Sequence, residues 1–193
     1  MGRLVVIGNG PVAEIFLRQV LHFPRDFPIT IFGGTFLDPH TDLDGQDGVD
    51  VQPDIHVVDI DRHALVVQGD DGSRTPYERL VLATGRKGFR PSGLQARDGI
   101  LVNHNFETSD GHIYAIGDCA EPREAEDRIS GLWQARTLAA MLVGNASQVP
   151  TATINTRGTG GKLLFFPAPL PSKDDPPEGA QAGTAHRRKS TSS

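Results

Sequence analysis

Apolar residues in this chain come in short runs, most of them closed by a small or polar residue. Leu4-Val5-Val6-Ile7 stops at Gly8, Ile29-Thr30-Ile31-Phe32 at Gly33, Arg79 to Ala83 at Thr84-Gly85, and His112 to Ile116 at Gly117-Asp118. Short runs of this kind, bounded by turn residues, predict buried strands. A helical rhythm is clear in two places. Pro11 to about His22 carries Val12, Ile15, Phe16, Gln19 and Val20 at helical spacing, with an apolar face set by all but Gln19, and Pro24 and Pro28 end it. Ile129 to Leu142 carries Leu132, Trp133, Ala135, Arg136, Leu138, Ala139 and Leu142, and Gly144-Asn145 stops it.

Between these elements the pattern is weaker. Gly33 to Gly48 is polar and reads as loop, and Gly48 to Val51 as a short third strand. Ile55 to Ile60 and Ala64 to Gln68 predict two further strands, turned at Asp61-Arg62-His63 and Asp70-Asp71-Gly72. Gly99 to Asn103 and Lys162 to Phe166 predict two more. From Pro167 the chain is rich in Pro, Gly, Ser, Asp and Lys. It carries too little apolar area to offset the entropy of ordering, so disorder is expected over 171–193.

The first junction holds the strongest chemistry. Strand, tight turn and helix follow one another in RLVVIGNGPVAEIFL, the opening of a dinucleotide-binding unit. Gly8 permits the sharp turn. Gly10 lacks a Cβ, so a pyrophosphate can reach the backbone. Ala13, in the third motif position, keeps the helix close to the strand. The first helical turn, from Pro11 through Val12 and Ala13, then presents N–H groups and the positive end of the helix dipole. The plainer alternative is a glycine-rich turn of any α/β protein; the flanking strand and helix favour nucleotide binding.

Composition narrows the classes. The chain's 193 residues suit one domain. A net charge of -5 argues against a general nucleic-acid binder. Cys119 is the single cysteine, so an intrachain disulfide, a thiol pair and a cysteine zinc cluster are excluded. The seven histidines show no metal-ligand spacing, and no metal site is expected. No apolar run approaches the roughly 20 residues of a membrane span. The first strand starts at the N-terminus, so no signal peptide is read and the cytoplasm is the expected location. No residue is singled out as catalytic.

Three phrases, GNGPVA at Gly8, LVLATG at Leu80 and TSDGHIYAIGDCAE at Thr108, occur in an order that resembles the FAD domain of the two-dinucleotide-binding, glutathione-reductase-like flavoproteins. Within that superfamily LVVIGNG, ITIFG, IYAIGDCAE and LWQARTLAA resemble the branch of assimilatory nitrite reductase large subunits and rubredoxin reductases. The resemblance spans most of Met1 to Gly144. It implies an α/β fold: a single doubly wound, FAD-binding Rossmann-like domain with a β-meander over 1–150, a remnant of an interface segment over 151–170, and the disordered tail. It implies that Gly8, Gly10, Pro11, Val12 and Ala13 lie under the FAD pyrophosphate, with Gly34 and Thr35 toward the adenosine. It also implies that Ala83, Thr84 and Gly85 pass the cofactor, and that Gly117 and Asp118 meet the ribityl chain, where a carboxylate can accept from hydroxyls. The helix from Ser130 to Leu142 would then aim its positive end at the flavin ring.

Two departures accompany the match. Thr35 stands where the family places an acidic residue for the adenosine ribose; a hydroxyl bonds it more weakly, and Asp38 is near enough in sequence to substitute. Between Gly85 and Gly99, where the family inserts an NAD(P)H-binding domain, this chain has only Arg86 to Asp98. Cys119 has no partner cysteine and reads as a small buried residue. Two functions follow. One is a minimal FAD-binding oxidoreductase subunit passing electrons through its flavin. The other is a non-catalytic, flavoprotein-derived module that binds FAD or ADP weakly, or not at all, and acts through another protein. Without the covering domains, an exposed flavin is expected together with an apolar patch from Leu132, Trp133, Leu138 and Met141, on or near the helix that would border the crevice. That points to a protein partner or a second copy covering it.

Overall fold

The computed structural model describes residues 2–33, 43, 46–86, 91–123 and 130–144, together with the backbone of 151–152 and 164–165. The elements run in the order β1 (Leu4–Ile7), α1 (Pro11–His22), β2 (Ile29–Phe32), β3 (Val49–Gln52), β4 (Val57–Asp61), β5 (Val66–Gly69), β6 (Arg74–Pro76) and β7 (Arg79–Leu82). They continue with β8 (Ile100–Val102), β9 (Ile113–Ala115), a one-turn 3-10 helix (Gly117–Cys119), β10 (Ala120–Pro122), α2 (Gly131–Leu142), β11 (Thr151–Ala152) and β12 (Leu164–Phe165).

Five strands form a parallel sheet in the order β3-β2-β1-β7-β9. It grows from β1 in both directions, so the strand order reverses there, and a crevice opens at the carboxyl ends where the neighbouring connections part. The register places Ile7 beside Phe32 on one side and Leu82 on the other. All four residues of β1 are buried, which explains why its sequence is continuously apolar instead of alternating.

The two faces of the sheet are covered differently. Leu4, Val6, Ile29, Ile31, Val81 and Ile116 face both helices, meeting Phe16, Leu17 and Val20 of α1 and Ala135, Leu138 and Ala139 of α2. Each fully buried large side chain in this layer contributes about 1.5–3 kcal/mol. Val5, Ile7, Phe32, Leu80, Leu82 and Ile113 face the other way, toward Ile60, Val67 and Tyr77 of an antiparallel meander and toward Ile100 and Val102. The meander β4-β5-β6 occupies the face that a second pair of helices would otherwise cover.

Element boundaries shift by one or two residues from the periodicity, and some elements escape it. β4 begins at Val57 rather than Ile55, with an irregularity in its pairing between Val57 and Asp59. Arg74-Thr75-Pro76 forms the outer strand of the meander although it lacks an apolar pattern; a proline is tolerated there because an edge strand need not donate on both sides. β10 pairs in parallel with β8, a contact between residues some 20 apart in sequence that no local signal announces. β12 lies within the expected Lys162–Phe166 strand and pairs with β11. The expected tail and the Gly34–Thr35 segment lie outside the described residues.

Candidate functional site

The turn after β1 is shaped by backbone crowding. Gly8 adopts φ +136°, and a Cβ there would lie 2.6 Å from the carbonyl carbon of Ala83. No other residue fits that combination of dihedral and contact. Gly8 N–H donates to the Phe32 carbonyl at 2.9 Å, and Ala83 N–H to the Ile7 carbonyl at 2.8 Å, so the ends of β1, β2 and β7 are laced together.

Gly10 differs. Its φ of -81° is ordinary, and nothing lies within 4 Å of where a Cβ would be. The residue sits at the N-cap of α1, and no side chain caps that helix. Open space beside uncapped helix-start N–H groups matches the requirement of an approaching anion. Pro11 is exposed and has no N–H to satisfy. Ala13 is fully buried against the sheet. Val12 turns inward: a Cβ on Gly117 would lie 3.2 Å from its methyl groups, and one on Gly131 2.9 Å from Cγ2. The starts of α1 and α2 therefore converge on the same point, separated only by glycine backbone.

The 3-10 turn carries the candidate carboxylate. Gly117 and Cys119 are buried, and Asp118 between them is exposed. Among the described residues Asp118 makes no hydrogen bond or ion pair. The Cys119 thiol donates to the carbonyls of Leu82 at 3.3 Å and Ile116 at 3.2 Å. Burial pushes this thiol up, and hydrogen bonds involving Thr84, Ile116 and Gly85 only partly offset it. The residue is thus a protonated packing group, not a nucleophile. Gly85 adopts φ +72°, and Ala83 is buried beneath it.

A cavity of about 660 Å³ opens beside this turn. Its lining includes Gly117, Asp118, Gly131 and Gln134 together with Arg86, Asp98, Gly99 and Glu121. Glu121 is already engaged, accepting from Gly99 N–H at 2.8 Å and pairing with Arg97 at 3.1 Å, which clasps β8 to β10. Asp98 also lines the cavity, and Asp118 is the exposed lining carboxylate at the end of β9. The volume lies in the range of small-molecule sites.

The residues singled out in the sequence thus gather at the carboxyl ends of β1, β7 and β9, with Val12 and Ala13 acting as packing beneath them. Gly34, Thr35 and Asp38 fall outside the described residues. One expectation is corrected: Leu138 is fully buried between α2 and the sheet and is no part of an exposed apolar patch, whereas Leu132 is 45% exposed. Gln134 was missed. It is only 6% exposed, and its Oε1 accepts from Gly117 N–H at 2.7 Å. Its signal was available, since an amide stands one residue before Ala135 and four before Leu138, on the buried face of the helix.

Among the described residues there is no group of His, Cys, Asp or Glu able to hold a metal ion, and no helix long and apolar enough to cross a membrane.

Residues 2–148 match the family model described as pyridine nucleotide-disulphide oxidoreductase. The nitric oxide reductase FlRd-NAD(+) reductase of Vibrio vulnificus is 35% identical over 94 residues, 44% of this chain and 24% of that protein. Putidaredoxin reductase CamA of Pseudomonas putida is 28% identical over 168 residues, 74% of this chain and 40% of that protein. The chain therefore spans less than half the length of these curated relatives. The crystal structure of the covalent putidaredoxin reductase-putidaredoxin complex shares the fold, with a TM-score of 0.65 at 15% identity over 79% of this chain and 78% of the matched one.

Proposed function

This chain belongs to the pyridine nucleotide-disulphide oxidoreductase family, whose members are FAD-dependent oxidoreductases, and we propose that it is a minimal flavin-binding subunit of that chemistry. The observation that carries the reading is convergence. An uncapped helix start with open space at Gly10 lies at the carboxyl end of β1, and an exposed carboxylate at Asp118 lines the cavity at the start of α2; the two helix starts meet through Val12, which packs on Gly117 and Gly131.

In this proposal Gly8, Gly10 and the first turn of α1 hold the pyrophosphate, Ala83 to Gly85 line its path, and Asp118 accepts from the ribityl hydroxyls. Gly34 and Thr35 serve the adenosine end. The start of α2 directs its dipole into the cavity and stabilises negative charge there. Bound FAD supplies the redox chemistry; the protein supplies orientation and electrostatics. The segment Arg86 to Asp98 replaces a second nucleotide domain, so electrons are exchanged with a protein partner or a second copy seated over the crevice. The putidaredoxin reductase relative is named for such a partner, and its crystal structure is of a complex with it. Leu132, exposed at the start of α2, belongs to that covering contact.

The test is the visible spectrum of the purified protein and of the supernatant after denaturation. Released FAD, or stoichiometric uptake of added FAD, is expected. Neither release nor uptake would favour the alternative, a flavoprotein-derived module acting without its cofactor, for which Thr35 in the adenosine position is the supporting observation.

A further inference from the structure

We propose that Gln134 is a positioning residue whose side-chain oxygen fixes the turn presenting Asp118 to the crevice. This rests on the crevice being the FAD site.

The turn begins where the chain leaves the sheet. Ile116 N–H still donates to the Leu82 carbonyl at 2.9 Å, continuing the ladder. The next donor, Gly117 N–H, has no strand beside it, and a buried backbone donor must find a partner. Gln134 Oε1 takes it at 2.7 Å from one turn inside α2. A longer route is closed by packing: Gly117 and Gly131 lie so near each other and Val12 that a Cβ on Gly131 would sit 3.0 Å from Gly117 Cα. At the other end of the turn the Cys119 thiol holds the Leu82 and Ile116 carbonyls. Asp118 is exposed between two buried anchors, so its place is determined by them and not by contacts of its own.

An amide on the core face of α2 carries a desolvation cost unless its groups are paired. Leucine in its place would pack as well against the neighbouring core but would orphan Gly117 N–H. The turn would then relax toward solvent or toward water-mediated bonding, and Asp118 would lose its aim. Gln134 also lines the cavity, and the role assigned to it is exerted through the turn that carries Asp118.

The experiment is a double-mutant cycle read by FAD titration, following flavin fluorescence quenching at a temperature where circular dichroism shows every variant folded. Gln134→Leu should weaken FAD by about 10-fold or more, as loss of a buried hydrogen bond predicts. Gln134→Glu, isosteric and still an acceptor, should recover affinity to within about threefold of the parent. In an Asp118→Asn background, Gln134→Leu should cost less than about threefold more, because the position it supports no longer carries the charge. Should Gln134→Leu fail to fold, Gln134→Asn, too short to reach Gly117, takes its place in the cycle. Additive effects, or unchanged affinity in Gln134→Leu, overturn the inference while leaving the FAD site standing. A parent protein that takes up no FAD overturns the functional reading and this inference with it.

Discussion

Two glycines of one turn have opposite jobs, and a single pair of substitutions separates them. Gly8 is required by the fold, because its φ of +136° and its contact with Ala83 leave no room for a side chain. Gly10 is surrounded by open space in an ordinary backbone conformation. Gly8→Ala should therefore lower unfolding free energy by roughly 2 kcal/mol or more, or prevent folding, whatever the ligand. Gly10→Val should cost only about 1 kcal/mol, the ordinary penalty of an apolar N-cap, yet reduce FAD binding at least about tenfold by occupying the pyrophosphate's approach. Urea melts of the apoprotein with parallel FAD titrations check both. Equal binding by Gly10→Val and the parent would move the pyrophosphate elsewhere. The sequence motif already assigns the turn to Gly8 and the ligand's approach to Gly10; the structure adds the Ala83 contact that shuts out a side chain at the first and the open space at the second.

At the scale of elements, the least regular layer is the meander, and Tyr77 is its buried contact with the parallel sheet. Only 4% of it is exposed, it packs in the layer with Ile60, Val67 and Leu80, and its hydroxyl has no hydrogen-bond partner among the described residues. Burial first, then the nearby Asp110 carboxylate, push the phenol up from 10.0 to about 12, against a smaller opposing effect of Arg62. The folded protein thus keeps a proton that the unfolded chain releases above pH 10. Below pH 10 the group contributes no pH dependence; between pH 10 and 12 stability falls, by at most about 1.4 kcal/mol per pH unit. Cys119, also pushed up by burial, adds to the fall from its ordinary 9.0 upward. Tyr77→Phe should be within about 1 kcal/mol of the parent at pH 7 and should remove the tyrosine's share of the alkaline loss. Denaturant midpoints at pH 8, 9, 10 and 11 decide it; a variant as steep as the parent above pH 10 would show the hydroxyl to be solvated. The helices, by contrast, were legible at element scale. α1 spans Pro11–His22 as the periodicity predicts, because a proline suits its first turn and an apolar face runs its length.

At the scale of the whole molecule, the five-stranded sheet, one helical layer and the meander form a single site-bearing body with one dinucleotide turn in its sequence. If that turn serves FAD, the sequence offers no second GxGxxG-type motif for a nicotinamide nucleotide. The FAD-loaded chain alone should show negligible bleaching of its visible flavin absorption, on the order of the uncatalysed rate, when mixed with stoichiometric NADH or NADPH. Rapid bleaching that saturates with nucleotide would reveal a nicotinamide site and remove the need for a donor partner.

The sequence by itself determined the local units: strands buried on both faces, two amphipathic helices, and the turn residues Gly8, Gly85 and Gly117 at strand ends. These depend on neighbours within a few positions, and the physics that sets them is steric and hydrophobic, so it is written in short patterns. The likeness carried by three separated phrases also determined the family and its cofactor. Only the tertiary structure decided that α1 and α2 begin at one point over Val12, that Glu121 is spent clasping Gly99 and Arg97 while Asp118 stays open, that Leu138 is core, and that Gln134 supports the turn. Each of these joins residues brought together by the parallel crossovers, and a hydrogen bond or contact across such a distance leaves only an ambiguous trace in a single chain: a glutamine on a buried helix face reads as a stray polar residue until the backbone N–H it satisfies is in place beside it.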